Sequence, residues 1–438
     1  MTTGTVRYLI RPGRPSDAAE LADLQASVQL QRVTGGKPHP GIAAWVHDLL
    51  DGHPSVTPDD FLVAEDPATG RPVASLVSLR QDWALTGVRL PVAQIELVGT
   101  APEHRGNRLT EQLFAALHQR HAADGVAIQM IEGIPYFYRR LGYDYALAND
   151  GAPTLPAAEL PPRGDAGDFS MRPATAADAY ALADLDRLLA ADDVWTCPRD
   201  VAVWQYEIAG RRAADFVRRA VAVLVSGTDV VAYLVYGNRL STAGDVFVVA
   251  AGALRPEDWP VAAPVMHAYL GQAGREFEAA EGRPFTAVRF LLDPRHPLVL
   301  HGPHGVPQRP RGWYVRAADP IGLLTRLQPA LRARWQAAGL RWPEPELTID
   351  TYGRAARLEF EDGTLKAVHA VPGEVSPPTS PSVHAAIPPA ALLQLLLGHR
   401  DLPGLLDHWP DCLLRDRRTE EFLTAAFPTV PVHLWTRT

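Results

Sequence analysis

Residues 95–113 read IELVGTAPEHRGNRLTEQL, an apolar run followed by a polar turn and the first turns of a helix. Leu109 and Leu113 recur at the spacing of one helix face, and the run before the turn is typical of a strand. A strand that turns directly into a helix presents several backbone N–H groups at the positive end of the helix dipole. The stretch therefore predicts a diphosphate-binding turn, to which Arg105 and Arg108 add positive charge.

The sequence around this turn excludes two common kinds of phosphate-binding motif. It predicts a strand over residues 93–100 and a helix over residues 108–122. Neither GxGxxG nor GxxxxGK[ST] occurs, which argues against a dinucleotide fingerprint and a P-loop. From residue types alone, an ordinary surface turn with exposed arginines stays open as the alternative.

Composition limits the partners of the chain. Its 438 residues include 42 basic and 50 acidic side chains, a net charge of −8, which argues against nucleic acid and anionic membranes as partners. No apolar run reaches the length of a membrane span. The two cysteines, Cys197 and Cys412, form no CxxC, so neither a disulfide framework nor a cysteine zinc site is expected. We expect a cytoplasmic protein.

Two segments of the chain open alike. Residues 8–25 read YLIRPGRPSDAAELADLQ, and residues 169–189 read FSMRPATAADAYALADLDRLL. Each predicts a strand, an Arg-Pro, a turn with an Asp and an amphipathic helix, which indicates two copies of one fold. The segment between the copies is rich in Pro, Gly and Ala and reads as a linker. The predicted domains are 1–150 and 169–318, joined by a linker at 151–168, and a third domain at 319–438.

A family resemblance starts from the turn. PEHRGNRLTEQLF resembles motif A of the GCN5-related N-acetyltransferase (GNAT) superfamily, whose pattern is [RQ]-x-x-G-x-[GA]. Arg105 occupies the first position, but Arg108 and Thr110 replace the two small residues, and Gly106 lies two places early. Backbone amides do most of the binding in such a turn. The side chain of Arg108 is expected to point away from the cofactor or onto its phosphates.

A second motif follows in the expected order. Residues 135–143, PYFYRRLGY, resemble motif B of the same superfamily, F-Y-x-x-x-G-[FY]. The whole chain resembles the Eis (enhanced intracellular survival) family of acetyltransferases. That resemblance implies an α/β (α+β) fold class with two tandem GNAT folds, the second degenerate, and a sterol-carrier-protein-like α+β domain. In the third domain, strands are predicted at 347–350, 356–360 and 366–371.

The resemblance also implies a cofactor and its contacts. Acetyl-CoA is the expected co-substrate, and no metal is expected. In GNAT enzymes the fourth strand separates from the fifth and exposes backbone N–H groups to the acyl carbonyl. The positions that correspond to the cofactor contacts are Val98, Gly99, Thr100, Arg105, Gly106, Asn107, Arg108, Leu109 and Thr110.

The acid and the base are expected at three residues. Tyr138 occupies the motif B tyrosine and is the candidate general acid, because a phenol is protonated at neutral pH. Tyr136 and Tyr143 compete for that role. By resemblance the base is the C-terminal carboxylate, here Thr438. Glu96, which by alternation shares one face of the motif A strand with Val98, and a water relay stay open as alternatives.

We expect an acetyl-CoA-dependent N-acetyltransferase that moves the acetyl group by direct attack in a ternary complex. The acceptor is a small-molecule or lysine-like primary amine, such as an aminoglycoside or a polyamine. A catalytically silent CoA-binding or scaffold protein and a lipid-binding carrier are the alternatives. By resemblance the chain forms a homo-oligomer, possibly a hexamer.

Overall fold

The structure is a computed structural model that describes residues 7–30, 34–162, 167–374 and 380–437. Its strands form three sheets with helices packed against them, so the predicted α/β (α+β) class is confirmed. Among the described residues, no helix combines the length and the apolar character that a membrane crossing requires.

The strands of the described residues are, in chain order, β1 (Leu9–Pro12), β2 (Phe61–Glu65), β3 (Pro72–Leu85), β4 (Val88–Thr100), β5 (Ile128–Ile131), β6 (Asp144–Ala148), β7 (Thr154–Pro156), β8 (Phe169–Pro173), β9 (Trp195–Thr196), β10 (Arg219–Ser226), β11 (Asp229–Gly237), β12 (Asp245–Ala253), β13 (Ala287–Phe290), β14 (Gly312–Arg316), β15 (Glu346–Asp350), β16 (Arg354–Glu361), β17 (Thr364–Pro372), β18 (Ala385–Ala386) and β19 (Leu413–Leu414). The three strands predicted in the third domain are present as β15, β16 and β17.

The α-helices of the same residues are, in chain order, α1 (Ala18–Val28), α2 (Pro40–Asp51), α3 (Leu109–Ala123), α4 (Ala179–Asp192), α5 (Val201–Gln205), α6 (Trp259–Glu281), α7 (Pro297–Leu300), α8 (Pro320–Ala337), α9 (Pro389–Leu396), α10 (Leu402–His408) and α11 (Arg417–Ala426). The helix predicted after the polar turn is α3, with Leu109, Leu113 and Leu117 buried on one face.

Each sheet is built mainly from the strands of one part of the chain. The first has the order β1-β2-β3-β4-β5-β14-β6, with β9 against β3. The second has the order β7-β13-β12-β11-β10-β8, and the third β17-β16-β15-β18-β19. In both of the first two sheets the central pair is parallel, β4 with β5 and β12 with β13, among antiparallel neighbours. The two sheets therefore share one mixed pattern, which agrees with the two copies of one fold that the repeated openings predicted.

Helices cover both faces of the first sheet, and the strand sequences are apolar on both faces. In β2, Leu62 and Ala64 pack toward α3, whereas Phe61 and Val63 pack toward α1 and α2. Successive side chains of a strand point to opposite faces, so a strand buried on both sides reads as a continuous apolar run.

The duplication is visible in one repeated ion pair. Arg11 binds both carboxylate oxygens of Asp17 at 2.7 and 3.0 Å, and Arg172 binds those of Asp178 at 2.8 and 2.6 Å. In each copy the arginine lies near the end of the first strand, and the aspartate also accepts a hydrogen bond from the backbone N–H three residues before it. The pair holds the turn between the strand and the first helix.

Three strands pair outside the part of the chain that contains them. β9 of the second part pairs with β3 of the first sheet. β7 lies within the predicted linker but pairs with β13 of the second sheet. β14 lies within the predicted second domain but inserts between β5 and β6 of the first sheet. Local sequence does not encode this exchange, because any apolar strand can complete either sheet. We keep 1–150, 151–168, 169–318 and 319–438 as the proposed domain bounds along the sequence.

The long hairpin β3–β4 joins all three parts of the molecule. Its tip, Thr86-Gly87, has positive φ at both residues, as a two-residue hairpin turn requires. The tip pairs with β9 from the second part. Trp83 and Leu90 near the tip share a hydrophobic core with α8 and the third sheet. The base of the hairpin, at Thr100, begins the polar turn, so one element connects the domain contacts to the predicted site.

The repeated ion pair allows a matched stability test. Arg11 is buried, whereas the side chain of Arg172 is 43% exposed. Removing one partner of a buried pair leaves an uncompensated charge, so Arg11→Ala should cost about 3 kcal/mol. Arg172→Ala should cost about 1 kcal/mol or less, because the guanidinium of Arg172 is itself partly exposed and its interaction with Asp178 is screened by solvent. Urea and thermal unfolding of both variants measure the difference, and equal losses would contradict this account.

Candidate active site

The polar turn between β4 and α3 is solvent-exposed and open to a ligand. Residues Arg105, Gly106, Asn107 and Arg108 are exposed, and Leu109 is buried as the first residue of the helix. The first N–H groups of a helix have no acceptor inside it. The turn is braced by side chains, with Asn107 Nδ2 donating to the His104 carbonyl at 3.0 Å. The predicted cradle residues therefore lie together around one helix N-terminus.

Arg108 keeps the backbone shape that the lost motif glycine would supply. Its φ of 56° is left-handed, a conformation that glycine adopts without strain. Its side chain is 80% exposed, with Nε 4.0 Å from a Glu111 carboxylate oxygen. An exposed side chain at this position is compatible with both expectations for Arg108, so they stay open.

β4 separates from β5 where the resemblance implied. The two strands pair in parallel at Val92, Ala93 and Gln94 only. Beyond Gln94, Leu97 has a φ of 51°, and the pairing of β4 with β3 shifts register at this point. A β-bulge of this kind bends a strand and re-aims the following side chains.

The bulge corrects one sequence-based expectation about Glu96 and Val98. Alternation predicts that both lie on one face of the strand. In the structure Val98 packs with the cluster that contains Ile95 and α3, whereas Glu96 lines a cavity beside Trp45 on the other side. Gly99 beyond the bulge lies so close to α1 that a Cβ there would meet Val28 Cγ2 at 2.4 Å. Val98 and Glu96 therefore lie on opposite sides of the sheet.

Tyr138 lies at the end of β5, in a 3-10 helix over Phe137–Leu141. Its ring is buried against Gly133, where a Cβ would lie 2.0 Å from Tyr138 Cε2. Among the described residues its hydroxyl has no hydrogen-bond partner. Burial, reinforced by the charge of Glu96, raises the pKa of Tyr138 well above its usual value. The phenol is therefore a protonated and uncommitted donor at neutral pH.

The two competing tyrosines are differently placed. The Tyr143 hydroxyl donates to Gln129 Oε1 at 3.0 Å and lies 3.1 Å from His118 Nε2, so it is engaged within the core. Tyr136 is 79% exposed, and its backbone N–H donates to the Tyr314 hydroxyl. Of the three, Tyr138 alone combines a buried ring with a hydroxyl that has no partner in the described chain.

Glu96 faces a cavity of about 250 Å³ built by all three parts of the chain. Aromatic side chains form much of its wall, and the charged groups in it are Glu96, Glu132 and Arg219. The aromatic lining consists of Trp45, Phe216, Trp313 and Trp435. Such walls suit a cationic ligand through cation–π attraction.

The protonation of Glu96 is shifted toward neutrality. Burial and the nearby charge of Glu132 raise the pKa of Glu96 to about 8, against the hydrogen bond from Gln94, which lowers it. Arg219 across the cavity stays cationic at neutral pH, since burial lowers its pKa to only about 10. A carboxyl group with a pKa near 8 can accept a proton at the pH at which an enzyme of this kind works.

The C-terminal segment reaches the first domain. Trp435 and Thr436 line the Glu96 cavity, and Arg437 exchanges backbone hydrogen bonds with Gln81 of β3, at 3.1 and 2.9 Å. Thr438, the candidate base by resemblance, lies outside the described residues. The segment therefore approaches the site that the resemblance assigns to it.

Sequence reasoning missed several residues of this site, notably Gln81, Gln94 and Glu132. Both glutamines lie in long strands whose other buried residues are mostly apolar, and that is the signal that could have identified them. A buried amide needs partners, so its presence in an apolar strand points to a polar network. Trp313 and Trp435 could not be found in this way, because their approach depends on strand exchange and chain return.

Comparisons with known proteins agree with this geometry. Residues 9–146 match the family model described as an acetyltransferase (GNAT) domain. No curated protein matches the sequence. The first domain is thus a GNAT acetyltransferase domain, and the prediction of a GNAT-type N-acetyltransferase is confirmed. GNAT domains use acetyl-CoA.

Solved structures share the fold over the whole chain. A GCN5-related N-acetyltransferase from Anabaena variabilis ATCC 29413 is 14% identical, with 98% of this chain and 99% of that chain covered and a TM-score of 0.66. One from Kribbella flavida is 18% identical, with 97% of each chain covered and a TM-score of 0.61. Eis1 from Mycobacterium abscessus is 17% identical, with 97% of this chain and 98% of that chain covered and a TM-score of 0.59. At these identities the likeness is one of fold.

The left-handed backbone of Arg108 gives a direct test of the cradle. Arg108→Gly and Arg108→Ala remove the same guanidinium, but only glycine relieves the positive φ. The glycine variant should therefore be more stable than the alanine variant by about 1 kcal/mol. Thermal unfolding of the two variants side by side measures this difference. An alanine variant of equal or greater stability would show that the turn does not hold a left-handed residue at 108.

Proposed function

We propose that this protein is an Eis-like, acetyl-CoA-dependent N-acetyltransferase that acetylates a primary amine by direct attack in a ternary complex. The observation that carries the proposal is the cavity at Glu96, which opens beside the separation of β4 from β5 and close to Tyr138. The cradle residues from Arg105 to Thr110 bind the diphosphate of CoA, and the backbone of Val98, Gly99 and Thr100 contacts the pantetheine and the acyl carbonyl.

The acceptor enters the aromatic cavity as an ammonium ion. The aromatic rings around Glu96 attract a cation, and the carboxylate form of Glu96 adds to this attraction. A lysine side chain, a polyamine or one amine of an aminoglycoside each supplies such a cation. The protein is proposed to act in the cytoplasm, with no nucleic acid or membrane partner, and to form a homo-oligomer, possibly a hexamer.

Glu96 is the proposed base. It takes a proton from the bound ammonium, and the resulting amine attacks the thioester carbonyl, so a C–N bond forms and the C–S bond breaks. Tyr138 gives its proton to the departing thiolate, which leaves as the CoA thiol. The attacking nitrogen loses its second proton to solvent as the tetrahedral intermediate collapses to the amide. Because the pKa of Tyr138 lies above that of Glu96, the proton held by Glu96 then returns to the phenolate, and both groups are restored.

The third domain is proposed to be sterol-carrier-protein-like, with a scaffold role. Its core is filled by large aromatic side chains, including Trp335, Trp342, Phe360 and Phe422. α8 of this domain shares one core with Trp83 and Leu90 of the β3–β4 hairpin. This packing supports a role in holding the catalytic domain and the C-terminal segment together.

Titration of acetyl-CoA followed by thiol release with a panel of amines tests the function. We expect saturable binding at one site per chain and amine-dependent release. Tyr138→Phe should lower kcat by about 10²-fold or more with nearly unchanged acetyl-CoA affinity, since it removes only the proton donor. Tyr136→Phe, at an exposed hydroxyl, is the matched control and should keep full turnover. Binding without release from any amine would favour the silent CoA-binding alternative, and no binding would favour a scaffold or a lipid carrier.

The proposed base, Glu96, predicts a specific pH dependence of kcat/KM. Activity needs Glu96 deprotonated, so kcat/KM should rise with pH up to about 8 and then level off. Glu96→Gln should abolish this rise together with most of the turnover. Glu132→Gln should move it to lower pH, because the repulsion that raises the pKa of Glu96 is lost.

A C-terminal extension separates the two candidate bases. Three residues added after Thr438 move the terminal carboxylate but leave the Arg437 backbone contacts available. Turnover should persist if Glu96 is the base. Loss of turnover in the extended chain, with retention in Glu96→Gln, would reassign the role to the terminal carboxylate of Thr438.

A further inference from the structure

Two buried glutamines connect the C-terminal segment to Glu96 by an unbroken line of hydrogen bonds. Gln81 of β3 receives the Arg437 N–H and donates to the Arg437 carbonyl. The same Gln81 Nε2 donates to Gln94 Oε1 of β4 at 3.1 Å. Gln94 Nε2 then donates to Glu96 Oε1 at 2.7 Å. The line crosses from the end of the chain to the middle of the catalytic domain through three side chains.

The donors at one end fix the direction of the whole line. Trp83 Nε1 donates to Gln81 Oε1 at 3.0 Å, and the Arg437 backbone N–H donates to the same oxygen. An indole N–H and a backbone N–H can only donate, so this end of the Gln81 amide must be the oxygen. Its NH₂ group must then face Gln94, whose oxygen accepts and whose own NH₂ group faces Glu96.

The same logic determines what Glu96 can do. Gln94 presents only donor hydrogens to Glu96 Oε1, so that oxygen must accept and cannot carry a proton toward Gln94. Oε2 is left as the oxygen that takes up and releases a proton. A donated hydrogen bond stabilises the charged form of a carboxyl group, which opposes the effects of burial and of Glu132.

We propose that Gln81 and Gln94 are positioning residues that transmit the docking of the C-terminal segment to the orientation and proton affinity of Glu96. The proposal rests on the proposed role of Glu96 as the base. Neither glutamine touches the reacting atoms; each acts through its neighbour. The catalytic carboxylate is thereby ready for proton transfer only when residues from the far end of the chain are in place.

The docked segment is itself firmly held. Arg199 of the second part donates to the carbonyls of Trp435 at 2.6 Å and Thr436 at 3.0 Å. Its guanidinium lies 3.5 Å from the centroid of the Trp435 ring. The Arg437 guanidinium also bonds the Pro198 carbonyl. These contacts fix the backbone of Arg437 against Gln81, so the relay starts from an ordered end.

The relay predicts a shift in pH dependence and not a uniform loss. The charged groups near Glu96 are Glu132 of the first domain and Arg219 of the second, with Tyr138 beside it; none of them is altered in the test variants. In Gln94→Leu the hydrogen bond to the carboxylate is lost, so the rise of kcat/KM should move up by about one pH unit. At pH 7 this is about a tenfold loss of kcat/KM.

Gln81→Leu should produce a similar shift, because Gln94 can then turn its amide away from Glu96. The double variant Gln81→Leu/Gln94→Leu should shift no further than Gln94→Leu alone, since two residues in series share one effect. Additive shifts would overturn the relay. Gln129→Leu, a buried glutamine of β5 outside the line, is the matched control and should leave the pH of the rise unchanged.

A second variant and a second measurement distinguish loss of the relay from misfolding of the leucine variants. Gln81→Asn keeps a buried amide but shortens it by one methylene, so it should lose contact with Gln94 and shift the profile as Gln81→Leu does. Infrared difference spectra of the Glu96 carboxyl band, assigned by its absence in Glu96→Gln, follow the same titration without turnover. They should show the same displacement in folded protein.

The outcomes separate the two proposals. If Glu96→Gln keeps the wild-type pH profile, the base assignment fails, whatever the glutamine variants do. If Glu96→Gln abolishes the rise but Gln81→Leu, Gln81→Asn and Gln94→Leu all leave its pH unchanged, Glu96 is the base and the relay is wrong.

Discussion

The separation of β4 from β5 after Gln94 is the constraint on which the site depends. Parallel pairing ends there, and the bulge at Leu97 turns the following residues onto another face of the sheet. One edge of the opening leads through Gly99 and Thr100 to the exposed helix N-terminus. The other leads through Glu96 into the aromatic cavity. A single irregularity in one strand thus separates the residues that lead to the helix N-terminus from the carboxyl group in the aromatic cavity.

Other parts of the chain complete the wall of the cavity beside this opening. β14 supplies Trp313 and Tyr314 to the first sheet, the second part of the chain supplies Phe216 and Arg219, and the last described residues supply Trp435. A lone GNAT domain would leave Glu96 exposed to solvent on this side. Burial is the largest cause of the raised pKa of Glu96, and residues of the other parts of the chain form much of the cavity wall around it.

Much of this could be predicted from local sequence, for a physical reason. The periodicity around Leu109 and Leu113, the turn at Gly106 and the repeated Arg-Pro openings are encoded within short stretches, because helix faces, turns and strand–helix junctions depend on near neighbours. Motif resemblance then located Tyr138 beside β5. Alternation failed at Glu96 and Val98, since a β-bulge inserts one residue and reverses the faces beyond it.

The sequence by itself determined the α/β class, the duplicated opening, the acetyltransferase domain and the set of residues around the cradle. Only the tertiary structure decided which distant segments surround Glu96, which of the motif B tyrosines has a hydroxyl without a partner, and that Gln81 and Gln94 join Arg437 to the carboxylate. The physical reason is the separation along the chain of the groups that interact. Backbone conformation answers to residues a few places away, whereas desolvation, cavity walls and a directed line of hydrogen bonds arise from groups hundreds of residues apart that meet only when the chain is folded.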